Sequence, residues 1–112
     1  MKIVSPPDQS FEKLRERAAD ACLVLKAMSN PDRLMLLCMI MDTECSVGQL
    51  ETLTGIRQPT LSQQLGILRA EELVETRREG KNIFYTLASP MVAELMHTLY
   101  EAYCANTPEK NK

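Results

Sequence analysis

Apolar residues recur at three- and four-residue steps through the first quarter of the chain. Leu14, Ala18, Ala21, Cys22, Leu25 and Met28 fall on one stripe, the signature of an amphipathic helix. The spacing predicts a first helix over about Ser10–Met28, preceded by a loose arm, residues 1–9, that carries Pro6-Pro7. Asn30-Pro31 marks a fresh start, with Asn as N-cap and Pro in the first helical position. A second helix is predicted over Pro31–Met41, apolar at Leu34, Met35, Leu37, Cys38 and Met41. Residues 42–45 form a short connector. Ser46-x-x-Gln49 is a capping-box pattern that opens a third helix carrying Val47, Leu50 and Leu53. That helix stops near Gly55, which suits a left-handed C-terminal cap. After a turn at Ile56-Arg57-Gln58, a fourth helix is predicted from about Pro59 to Glu71 with Leu61, Leu65 and Leu68 inward.

The period then changes. Leu73–Arg78 and Ile83–Leu87 read as two short strands around Glu79-Gly80-Lys81-Asn82, a hairpin with glycine in its turn. Ser89-Pro90 repeats the cap-plus-proline start, and Val92, Leu95, Met96, Leu99 and Tyr103 extend a fifth helix to about Cys104. Residues 105–112 read as a frayed polar tail. The predicted fold is mainly α with a small β-hairpin, one domain over residues 10–104. Helices three and four, joined by a few residues around Gly55, have helix-turn-helix spacing, and the hairpin is the natural wing. The whole is a winged helix-turn-helix.

Composition supports one core. A chain of 112 residues holds one domain rather than two. With two Phe, three Tyr, no Trp and seven Met, that core is aliphatic and methionine-rich, as suits helices packed on helices. No apolar run approaches the roughly 18–20 residues that span a membrane, and the first residues lack the apolar centre of a signal peptide. The expected location is the cytoplasm, where Cys22, Cys38, Cys45 and Cys104 are held reduced. Their spacing contains no C-x-x-C, so neither a zinc ribbon nor a thioredoxin motif is available.

The formal net charge of −2 argues against a non-specific nucleic-acid binder, which needs a large positive field. A specific one depends on local charge, and the charge is local here. From Thr52 through Ala70 there is no Asp or Glu, while Arg57 and Arg69 are present. The second helix of the helix-turn-helix should lie in the major groove. Its candidate base readers are Gln58, Thr60, Ser62, Gln63 and Gln64, short or amide-bearing groups that donate and accept toward base edges. Arg77, Arg78 and Lys81 on the wing are candidates for backbone phosphates or the adjacent minor groove. Glu75 and Glu79 weaken that patch, so affinity should come from two half-sites of an inverted repeat held by a dimer. An enzyme is excluded by poverty of means: one His, no glycine-rich phosphate loop, and no Ser or Cys with a recognisable base. No cofactor is expected. The rival is a module that binds something other than DNA, which predicts no salt-dependent binding to any duplex.

Three stretches carry a resemblance: Leu34-Met35-Leu36-Leu37, Ser46-Val47-Gly48-Gln49-Leu50, and Gln58-Pro59-Thr60-Leu61-Ser62-Gln63-Gln64-Leu65 with Leu68-Arg69. It continues through Leu73–Arg78 and Phe84-Tyr85 and covers roughly Ala18–Cys104. In these residues the chain resembles the ArsR family of bacterial repressors. The resemblance implies a homodimer built from the first and last helices. It also implies a repressor that leaves its operator when an inducer acts.

Metal-sensing members of that family carry two cysteines in the third helix, in a Glu-Leu-Cys-Val-Cys-Asp-Leu stretch. The matching positions here hold Ser46 and Gly48, with Cys45 one place off and alone. Soft metals need thiolate or imidazole donors, so no metal ligand is assigned. On the last helix His97 has only Glu94 and Glu101 for company, too few for zinc, and reads as a surface or dimer-interface residue. Cys38 and Cys104 remain. On composition alone they are small buried hydrophobes. Their placement, however, is similar to the persulfide-sensing, BigR/SqrR-like branch of the family. That likeness implies a dithiol sensor in which reactive sulfur species produce a disulfide or polysulfide bridge between Cys38 and Cys104. A metal- or arsenic-responsive repressor and one responding to general oxidants stay open as alternatives. Cys22 is expected to pack in the helix-one stripe, and Cys45 to be an incidental exposed thiol.

Overall fold

A computed structural model of the protein describes residues 8–105. The expected arm over 1–9 and tail over 105–112 fall outside that range apart from Asp8, Gln9 and Ala105. The described elements are α1 (Asp8–Met28), α2 (Pro31–Met39), β1 (Cys45–Ser46), α3 (Val47–Thr54), α4 (Thr60–Ala70), β2 (Val74–Glu79), β3 (Asn82–Leu87) and α5 (Pro90–Tyr100). A single π-helical turn, Glu101–Ala105, follows α5 directly.

The predicted winged helix-turn-helix is present, with one strand more than the sequence suggested. Cys45 and Ser46, read as the end of a connector, pair antiparallel with Tyr85 and Phe84. The sheet order is therefore β1-β3-β2. Two residues are too few to show a period-two alternation. The hairpin itself runs in register from Val74 opposite Leu87 to Glu79 opposite Asn82, and Gly80 takes φ 63° in its turn.

Local chemistry explains the helix ends. The Arg33 backbone N–H donates to Asn30 Oδ1 at 3.0 Å, ahead of Pro31 in the first turn of α2. At α3 both halves of the capping box form: the Gln49 N–H donates to Ser46 Oγ at 3.1 Å and the Ser46 N–H to Gln49 Oε1 at 2.8 Å. Gly55 closes α3 at φ 77°, with its N–H on the Glu51 carbonyl. The Val92 N–H donates to Ser89 Oγ at the start of α5. α2 ends two residues short of the sequence expectation, at Met39, because Ile40 leaves the helical region at φ −104°, ψ 10°. The end of α4 has the Schellman pattern. Glu72 donates to the Arg69 carbonyl and Leu73 to the Leu68 carbonyl, and Glu72 sits at φ 62° where glycine is the usual occupant.

The core is aliphatic, as the composition implied. Leu36 and Leu37 of α2, Leu50 of α3, Leu61, Leu65 and Leu68 of α4, Leu73, and Met96 of α5 are fully buried. Among the described residues no polar or charged side chain is buried. Among its described residues α1 buries only Ala27 and Met28 in this core, with Val24 packed against it. Its predicted stripe is otherwise exposed within the single chain, with Leu14 at 60% and Leu25 at 56%.

Candidate nucleic-acid interface and cysteine pair

α3, Gly55 and α4 form the helix-turn-helix, and the buried Leu61/Leu65/Leu68 face of α4 turns its opposite face outward. Arg57, Gln58, Ser62, Gln63 and Arg69 are exposed there, while Thr60 and Gln64 are half-buried. Two of the candidate readers already have protein partners. Gln58 Oε1 accepts the Ser62 backbone N–H at 3.0 Å, standing in for a cap that Pro59 does not provide. Gln64 Oε1 accepts from Arg33 Nη1 at 2.8 Å.

On the wing, Arg78 and Lys81 are exposed, and among the described residues neither has an ion pair. Arg77 is different. It lies in β2 opposite Phe84, away from the tip. Its Nε and Nη2 grip the two oxygens of Glu44, Nε at 3.0 Å from Oε2. Its Nη1 lies 2.9 Å from Glu79 Oε1, and its guanidinium stacks 4.6 Å from the centroid of the Phe84 ring. The hydrogen bond from Arg77 holds the Glu44 carboxyl below the ordinary carboxylate range. Glu44 and Glu79 in turn push the guanidinium further up. Arg77 therefore pins the wing to the segment before β1, and Arg78 and Lys81 are the wing's available cations. Sequence reasoning missed Glu44 and Arg33. The signal for Glu44 was the two-residue strand beside it, which brings residue 44 next to the hairpin.

The four thiols are free and differ in setting. Cys38 is half-buried on α2 and Cys104 is exposed on the π-helical turn. Burial pushes the Cys38 thiol up, and charge on the Cys104 sulfur pushes it further. α2 packs against α5, and the turn that carries Cys104 follows α5 directly. Cys45 corrects an expectation: it is 4% exposed, with its thiol directed at the Met39 carbonyl, 3.7 Å away. Its strand position turns the side chain into the core, where burial raises its pKa, and Glu44 adds to the effect. Cys22, expected to pack, is exposed in the single chain, as is most of the α1 stripe.

Ser46 spends its hydroxyl on the α3 cap, and Gly48 offers no side chain. His97 is exposed, and its Nε2 lies 2.9 Å from Asp42 Oδ1. Among the described residues no three His, Cys, Asp or Glu side chains gather as a metal ion would require. Among the described residues no helix is long and apolar enough to cross a membrane.

Comparison with known proteins fits this geometry. Residues 30–76 match the model of the bacterial regulatory protein, arsR family. A biofilm growth-associated repressor of Agrobacterium fabrum is 50% identical over 98 residues, 88% of this chain and 82% of that protein. The chain belongs to the arsR family of bacterial regulatory proteins. As an arsR-family protein it is a transcriptional regulator and not an enzyme. Among solved structures, reduced HlyU from Vibrio cholerae has TM-score 0.80 and 42% identity, covering 83% of this chain and 98% of that one. The homodimeric winged helix-turn-helix domain of Mb0332 from Mycobacterium bovis has TM-score 0.70 and 30% identity, covering 89% of each chain. The segment matched to the arsR model opens at the Asn30 cap and closes within β2. It holds Cys38 and the whole helix-turn-helix, whereas Cys104 lies beyond it.

Proposed function

We propose that the chain is a homodimeric, cytoplasmic transcriptional repressor whose operator binding is switched by oxidation of Cys38 and Cys104. The repressor reading follows the Agrobacterium relative. The observation that supports the switch is placement: a half-buried thiol on α2 and an exposed thiol on the turn that follows α5, with α2 packed against α5. The reading of a dimer is supported by Leu14, Leu25 and the rest of the uncovered α1 stripe, an apolar surface that a second copy would bury. Mb0332, a homodimer, points the same way. Two copies present two α4 helices to the two halves of an inverted repeat. Gln58, Thr60, Ser62, Gln63 and Gln64 face bases, and Arg57, Arg69, Arg78 and Lys81 face phosphates.

Reactive sulfur species, such as an organic persulfide, are the proposed inducer. The exposed Cys104 thiolate attacks the terminal sulfur of RSSH and releases RSH, leaving a persulfide on Cys104. Cys38 then attacks the Cys104 sulfur and expels hydrogen sulfide. Two thiols lose two electrons in total, and the transferred sulfur gains them. A second persulfide equivalent would lengthen the bridge by one sulfur. A plain disulfide holds its Cα atoms within about 4.4–6.8 Å. Either bridge ties the turn after α5 to α2. If α5 belongs to the dimer interface, the spacing of the two α4 helices changes with it, and affinity falls through that coupling.

Treating the reduced protein with an organic persulfide and mapping the products by mass spectrometry tests this. The expected product is an intramolecular Cys38–Cys104 link. Cys38→Ser and Cys104→Ser should still bind DNA but no longer respond. Loss of DNA binding by those variants before any oxidant would assign both cysteines to packing. Release of the reduced protein from DNA by zinc or arsenite would point instead to metal sensing.

A further inference from the structure

Arg33 lies in the first turn of α2, and the function proposed above makes no use of it. Its Nε–H donates to the Ala27 carbonyl at 2.6 Å and Nη2 to the Lys26 carbonyl at 3.5 Å. Both acceptors belong to the last turn of α1, where helix carbonyls lack partners within the helix. Nη1 crosses to α4 and donates to Gln64 Oε1 at 2.8 Å. The guanidinium is therefore fixed by backbone before it meets the glutamine.

That contact has a chemical consequence. A guanidinium only donates, so the atom that meets it must be the amide oxygen. The Gln64 O and N positions, ordinarily interchangeable in assignment, are dictated by the partner, and the NH2 group is turned away from it. Gln64 sits on the flank of α4, between the buried Leu61/Leu65 face and the exposed Ser62/Gln63 face, and it is half-exposed. Among the described residues no acceptor takes its Nε2 hydrogens.

We propose that Arg33 is a specificity-determining positioning residue: by engaging Oε1 on the protein side, it turns the NH2 group of Gln64 outward and presents it as a donor to the major groove. This rests on the reading of α4 as the recognition helix. A free glutamine offers a donor and an acceptor side by side and pairs with adenine N6 and N7. An amide held with its NH2 outward meets acceptors first. Guanine, with N7 and O6 adjacent, offers it two, while cytosine N4 and adenine N6 oppose it with donors. Thymine O4 and adenine N7 offer one acceptor each, so guanine is the preferred base opposite Gln64. Arg33 itself touches no DNA.

The test is selection from randomised duplexes with the reduced, full-length protein, followed by affinities across a salt series. The wild type should enrich an inverted repeat with guanine at one position in each half-site. Arg33→Met keeps an unbranched apolar stem and has no donors, so Gln64 is free to flip. The preference for guanine over adenine at that position should fall by about tenfold, with the other positions and the salt slope unchanged. Arg33→Met combined with Gln64→Ala should read no worse than Gln64→Ala alone. Gln64→Glu, retained by Arg33, turns an acceptor outward and should move the preference toward cytosine. It decides the matter if Arg33→Met fails to fold. Uniform weakening at every position by Arg33→Met would make Arg33 a packing residue and overturn the proposal. So would a salt slope reduced by about 0.9, the mark of a lost phosphate contact, or Gln64→Glu with unaltered preference. A wild-type protein that enriches no duplex would instead overturn the recognition-helix reading.

Discussion

α4 and α1 are both amphipathic helices, and the chain treats them in opposite ways. α4, with 11 residues, buries Leu61, Leu65 and Leu68 against its own domain. α1, with 21 residues, buries only Ala27 and Met28 and leaves Leu14, Leu23 and Leu25 more than half exposed. A periodic apolar stripe shows that a face wants cover but not what covers it. For α4 the cover lies within the same chain, so the DNA-reading platform is complete in one copy. For α1 a partner of the same kind is the economical cover. The contrast extends to the ends of the helices. α3, the first helix of the reading unit, is closed by a full capping box and Gly55, whereas α5 slides into a π-helical turn that carries Cys104.

The comparison breaks most visibly in the core. Leu61→Ala should cost about 2–5 kcal/mol in denaturant unfolding, whereas Leu14→Ala, measured on dilute, dissociated protein, should stay within about 0.5 kcal/mol. Equal costs would mean that α1 is packed on its own domain after all. Next in size, Leu14→Asp with Leu25→Asp should yield a folded monomer by sedimentation. Its operator affinity should fall on the order of a hundredfold, because two linked half-sites become one. On the wing, Arg78→Ala and Lys81→Ala should each lower the salt slope of binding by about 0.9, and Arg77→Ala should leave that slope unchanged while loosening the hairpin. Glu72→Gly should raise stability by about 1 kcal/mol, since glycine relieves a left-handed backbone.

The smallest effect is in pH. The Glu44 carboxyl has its pKa lowered on folding. Its contribution to stability is therefore present above the ordinary carboxylate value and is lost as pH falls through the lower folded value. Glu44→Gln should flatten the acid limb of the stability profile by a small amount, as befits an exposed pair.

How much of this was legible in the sequence follows from the range of the signals. Asn30-Pro31, Ser46-x-x-Gln49, Gly55 and Ser89-Pro90 act within four residues, and each marks the helix boundary it announced. The helix-turn-helix and its wing follow from those boundaries. What escaped acts at long range. The pairing of Cys45 with Tyr85 joins residues 40 positions apart (85 minus 45). It buries a thiol expected to be exposed and carries Glu44 to Arg77. Arg33 and Gln64 are separated by 31 positions, and nothing in either neighbourhood foretells the contact. The end of α5 escaped for another reason: neither glycine nor proline occurs from Met91 to Cys104, and no residue type announces a π-helical turn.

The thiol switch is tested most directly by titrating one operator duplex with the same protein sample three times: reduced, after persulfide, and after re-reduction with dithiothreitol. Tight binding, loss of affinity by at least tenfold with the Cys38–Cys104 link in place, and full recovery on reduction are the predicted results. Undiminished affinity with the link fully formed would contradict it.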